Sequence, residues 1–109
     1  MRETPRKYPV FNIAIFDVDD PTNEGYIQDI SDKGIRISGI NIKPQQKKTF
    51  MIQADQFDNV HPFSFDAECK WCSPATDDEP CACGFEIITI SDHDREELLK
   101  IIDMLSLSD

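Results

Sequence analysis

From Phe63 to Trp71 the chain alternates without a break, with Phe63, Phe65, Ala67, Cys69 and Trp71 set against Ser64, Asp66, Glu68 and Lys70. A period of two marks a strand with one buried face. Other β-branched and aromatic runs predict strands over residues 10–16, 26–30, 35–37 (extending toward 42), 49–54 and 83–90. Between them, turn-forming residues predict connections at 19–25, 43–48, 55–62 and 73–80, with a corner at 31–34. After residue 90 the period changes. Ser91 and Asp94 stand at capping-box spacing, and Leu98, Ile101, Ile102 and Leu105 follow at helical spacing, which predicts a helix over about 92–107. Strands first and one amphipathic helix last define a mainly β fold. The expected form is a small antiparallel β-barrel of about six or seven strands, with the helix against the sheet or over an open end. The aromatic stripe at 63–71 could serve as a stacking platform for bases. A barrel interior, however, needs such a one-sided stripe as filling, so the stripe, Trp71 included, reads as core.

The 109 residues fit one domain. A polar segment at 1–8, holding Pro5, reads as an extended, mobile arm, and 9–109 as the domain itself. No apolar run approaches the ~20 residues of a membrane span, and no signal-peptide core is visible, so a cytoplasmic protein without membrane insertion is expected. The net charge of −10 argues against DNA or RNA as partners. Its distribution is uneven, because Arg2, Arg6 and Lys7 cluster in the arm while Lys33 and Arg36 flank the corner. Exposed charges are screened beyond roughly 8 Å at physiological salt, so a small anionic ligand would sense these clusters rather than the total.

Two short motifs carry candidate chemistry. Arg2-Glu3-Thr4-Pro5-Arg6 supplies two guanidinium groups, whose planar forks match phosphate oxygens and the O6/N7 edge of guanine. Asp29-x-Ser31-x-x-Gly34 places at the corner a carboxylate suited to the donor edge of guanine, a hydroxyl, and a backbone position without a side chain. A purely structural reading also exists: Asp29 and Ser31 form a local turn, and Gly34 supplies a positive φ. R-x-x-x-R followed by a strand and D-x-S-x-x-G resembles the PilZ domain, a bacterial receptor module for cyclic di-GMP, over most of the chain from Arg2 to the helix near Leu105. The resemblance implies that Arg2 and Arg6 clamp phosphates and guanine edges. It implies too that Asp29 and Ser31 hold the other face and that Gly34 keeps the backbone close, while Lys7, Lys33 and Arg36 add positive field. The mobility expected of the arm suggests, as a mechanism, that the ligand folds it over the barrel to create a surface for a separate effector protein. A ligand-free interaction module of the same fold is the alternative.

Cys69, Cys72, Cys81 and Cys83 fall outside the resemblance. Four thiolates near a hairpin mouth could hold zinc. Strand parity opposes this, since Cys69 shares the face of Phe65 and Trp71 whereas Cys72 falls on the other. The favoured reading is four free thiols, with no cofactor required and a small zinc or redox protein as a remote alternative. No nucleophile–base pattern, phosphate-cradling glycine loop or His-metal helix appears, so no enzyme is expected.

Overall fold

The computed structural model describes residues 13–54, 57 and 59–107, with side chains through residue 104. Six strands, β1 (Ala14–Asp17), β2 (Asp20–Ile30), β3 (Gly34–Ser38), β4 (Lys47–Gln53), β5 (Phe63–Ser73) and β6 (Ala82–Thr89), precede one helix, α1 (Asp92–Leu107). The strands form a closed antiparallel barrel in the order β1-β2-β3-β6-β5-β4. Closure comes from β1 against β4, with Ile15 opposite Ile52 and Asp17 opposite Phe50.

Inward positions fill the interior as the alternation predicts. Phe50 is fully buried, its ring edge-on to Phe85 at 4.9 Å and tilted against Phe65 at 6.2 Å. Ile15, Ile27, Ile35, Ile37 and Ile52 close around this aromatic centre. The barrel holds six strands, within the expected range, and the helix lies against β5 with Leu98 and Ile101 fully buried.

One connection differs from expectation. Residues 19–25 form no loop; a tight turn at Val18 and Asp19 sends the chain straight into β2 at Asp20. Asp17 makes this possible. Its buried carboxylate accepts the Asp19 N–H at 2.9 Å and pairs with Lys48 Nζ at 3.0 Å, so the turn is closed by a side chain from within the first strand. Polar residues then continue as strand because Asn23 uses its side-chain amide as a substitute backbone, donating to Asn41 O and accepting Asn41 N–H, both at 2.9 Å.

The helix starts as its sequence predicts, with Ser91 Oγ accepting the Asp94 N–H at 3.1 Å. A second anchor involves Glu97, a buried carboxylate that accepts the His61 N–H at 2.9 Å and Lys100 Nζ at 3.1 Å. Lys100 also donates to Asn59 O at 2.9 Å, tying helix and 59–61 loop together. The His61 N–H, with help from Lys100, lowers the Glu97 pKa. A carboxyl whose folded pKa is depressed contributes stability that is complete above its unfolded value of about 4.3 and is lost as pH falls through the folded value. Glu97→Gln is therefore expected to lower the thermal midpoint at pH 7. Its deficit against the wild type should shrink as the pH is taken below about 4.3. A deficit that stays constant from pH 7 to pH 3 would show that the charge is not what anchors the helix.

Candidate functional site

Two bulges decide what faces outward on one side of the barrel. In β2, Ile27 pairs with Ile37 but Asp29 pairs with Arg36, so Gln28 is the extra residue. Strict alternation would put Asp29 on the interior face with Ile27; the bulge turns it outward and leaves it exposed. Gln28 keeps its amide satisfied on Ser38 Oγ at 2.8 Å. In β5, Cys69 pairs with Phe85 but Trp71 pairs with Gly84, so Lys70 is the extra residue there. Trp71 is consequently an outward, 43% exposed side chain and not the core residue that its alternation predicts.

The two bulges bring four residues into one row across four strands. Asp29 faces Arg36, Arg36 faces Gly84, and Gly84 faces Trp71. Gly84 is needed for this. A Cβ there would stand 2.7 Å from Trp71 Cζ2 and closer still to Nε1 and Cε2, so the indole packs directly against the bare backbone. A depression of about 380 Å³ runs along the row, lined by Asp29, Ser31, Gly34, Arg36, Lys70 and Trp71 among others.

The corner at one end is self-supporting. Ser31 N–H donates to Gly34 O at 2.9 Å, and Ser31 Oγ accepts the Lys33 and Gly34 N–H groups, each at 3.2 Å. Gly34 does not serve the corner through a positive φ, which among the described glycines is found only at Gly39 (82°). Its requirement is closeness, since a Cβ would stand 2.9 Å from the Phe85 carbonyl oxygen on the neighbouring strand. At the other end, Lys70 is held by Glu86 at 3.1 Å and Glu68 at 3.6 Å. The Glu86 contact, reinforced by Glu68, raises the Lys70 pKa.

Of the expected site residues, the structure brings Asp29, Ser31, Gly34 and Arg36 together on one wall. Lys33 is exposed at the tip of the corner and does not line the depression. Arg2, Arg6 and Lys7 lie outside the described residues. Lys70, Trp71 and Gly84 join the site unannounced. The signals available were an isolated glycine in a strand and the adjacent apolar pair Trp71-Cys72, which breaks the alternation. Chemically, the depression is lined by an indole, a guanidinium, an ammonium and a carboxylate. That set suits a planar heteroaromatic ring bearing anionic groups.

The bulge at Lys70 also rearranges the cysteines. It turns Cys72 inward, where it meets its cross-strand partner Cys83 in a disulfide. This corrects the expectation of four free thiols, which holds only for Cys69 and Cys81. Burial pushes the Cys69 thiol pKa up. The sulfurs of Cys69, Cys72 and Cys83 lie within 4.8 Å of one another, but Cys81 directs its thiol to the Ile40 carbonyl at 3.7 Å. A four-thiolate zinc site is thus not assembled. Two of the three clustered sulfurs are joined to each other, and metals take thiolates.

A corner built on D-x-S-x-x-G, beside a charged depression on a six-stranded closed barrel with a C-terminal helix, defines the class of fold. A family model for the PilZ domain matches residues 1–103, and the chain belongs to that family. Among solved structures, it is similar to the inhibitor of motility MotI/DgrA from Bacillus subtilis, with TM-score 0.69 and 16% identity over 100% of this chain and 54% of that one. It is also similar to YcgR from Escherichia coli in complex with c-di-GMP, with TM-score 0.66 and 15% identity over 95% of this chain and 47% of that one. The separate PilZ domain of YcgR with c-di-GMP aligns at TM-score 0.66 and 16% identity, covering 96% of this chain and 94% of that domain. The chain therefore spans about half the length of the first two proteins. A search of curated protein sequences finds no match. Among the described residues, no helix is long and apolar enough to cross a membrane.

Proposed function

We propose that this protein is a cyclic di-GMP receptor that acts as an adaptor rather than as an enzyme. The observation that carries the reading is the convergence of Asp29, Ser31, Gly34 and Arg36 on one wall of a depression whose floor is Trp71 over Gly84. Membership of the PilZ domain family supports it, as do the c-di-GMP complexes of YcgR and of its PilZ domain. In this reading Asp29 accepts the donor edge of a guanine, Arg36 and Lys70 attract phosphate oxygens, and the Trp71 face receives a base. Arg2 and Arg6 approach from the N-terminal arm and close over the ligand, with Lys7 adding field. Arg6, nearer in sequence to the first strand, contributes more than Arg2. The closed arm presents a new surface to a separate effector protein.

Calorimetric titration with cyclic di-GMP tests this. The wild type is expected to bind at micromolar affinity or tighter, and Arg6→Ala to weaken binding roughly tenfold or more. No heat and no ligand-induced thermal shift, with the barrel folded by circular dichroism, would sink the receptor reading. The ligand-free interaction module would then take its place.

A further inference from the structure

The disulfide sits in a place that the ligand site does not require. Cys72 and Cys83 are direct cross-strand partners, and the next pair along the same two strands is Trp71 and Gly84, the floor of the depression. A third sulfur is at hand, since Cys69 Sγ lies 3.4 Å from Cys72 Sγ. Cys69 and Cys83 are buried, whereas Cys72 is partly exposed and is thus the sulfur a small thiol can reach. Each redox state also finds accommodation. The Ile42 carbonyl stands 3.0 Å from Cys72 Sγ and 3.7 Å from Cys83 Sγ, an acceptor ready for either thiol once the bridge opens.

We propose that Cys69, Cys72 and Cys83 form a thiol–disulfide exchange site that sets the shape of the pocket floor. A small-molecule thiolate attacks Cys72 Sγ, forming a mixed disulfide and releasing the Cys83 thiolate, which takes a proton. From there two routes balance. A second small thiol attacks the mixed disulfide, leaving Cys72 reduced and the two small thiols oxidised to their disulfide. Alternatively, Cys69 displaces the small thiol from Cys72, so that the bridge moves from Cys72–Cys83 to Cys69–Cys72 with no net oxidation. Both routes remove the covalent tie between β5 and β6 beside the Trp71–Gly84 pair. The strands can then part at the bulge, and the indole loses its seat. The bridged state is accordingly the state that binds ligand.

The effect on affinity rests on the receptor reading above; the effect on Trp71 does not. Trp71 is the single tryptophan of the chain, so its emission reports the pocket floor without any ligand. Protein equilibrated with oxidised glutathione, then unfolded and alkylated, should yield two modified cysteines, Cys69 and Cys81, and after dithiothreitol all four. Trp71 emission should shift on reduction, and cyclic di-GMP affinity should fall by about fivefold or more. Cys83→Ser should form the Cys69–Cys72 bridge under oxidised glutathione, identified by peptide mapping. Four alkylatable cysteines in oxidised glutathione would overturn the proposal, as would unchanged emission and affinity between the two states. Three free thiols in oxidised Cys83→Ser would overturn the role of Cys69. A shift in Trp71 emission with no dinucleotide binding in either state would support the exchange site and remove the receptor reading alone.

Discussion

Gly84→Leu is expected to abolish cyclic di-GMP binding while the barrel stays folded, with a loss of about a hundredfold or more, near 3 kcal/mol. The reason is local. Any side chain at 84 runs into the Trp71 indole, and a leucine also fills the depression that the indole floors. The backbone raises no objection, because Gly84 lies in β6 and only Gly39 among the described glycines has a positive φ. A leucine in a strand interior even loses less backbone entropy on folding than a glycine does. Trp71 faces outward and can swing away, so the cost falls on the site. Trp71→Ala separates the two contributions. Losing one stacked base costs about 1–3 kcal/mol and leaves the space open, so it should weaken binding less than Gly84→Leu. Titration of both variants, with circular dichroism to verify the fold, decides the matter. Wild-type affinity in Gly84→Leu would place the ligand elsewhere.

Phe50→Ala carries the largest expected loss of stability, about 3–5 kcal/mol. Phe50 is fully buried where β4 closes the barrel against β1, and it contacts Phe85 and Phe65. Those two rings sit in β6 and β5 among other fully committed side chains, so the cavity has little chance to collapse. Against a total of about 5–15 kcal/mol for a domain of this kind, the loss is a large share. Urea unfolding should show a lower midpoint with an unchanged slope. A cost below about 1 kcal/mol would mean that the neighbouring rings repack into the space.

Much of this architecture was legible in the chain. The alternation from Phe63 to Cys69 and the capped stripe from Ser91 onward are periodic, and periodicity is what burial imposes on a sequence. The corner at Asp29, Ser31 and Gly34 was legible because each residue type serves an identifiable need. The bulges were not. An inserted residue changes register without changing composition, so Asp29 and Trp71 each stand on the face opposite to the one simple alternation assigns. Everything downstream of those bulges was hidden for the same reason: the Trp71 floor over Gly84, the inward turn of Cys72 and its bond to Cys83. The early start of β2 was obscured differently. Asp17 closes the turn from inside the preceding strand, and Asn23 replaces a backbone pairing by a side chain, neither of which follows a propensity.

The pairing of β1 with β4 has a consequence for recognition. With the ring complete, every one of the six strands already has a hydrogen-bonded neighbour on both sides. Along these paired stretches no sheet edge is left to accept an added strand, so a docking peptide cannot extend the ladder there by backbone pairing. A binding protein must instead read side chains on the outer wall or on the helix. Its specificity is then written residue by residue, and single surface substitutions can redirect it while the barrel beneath stays the same.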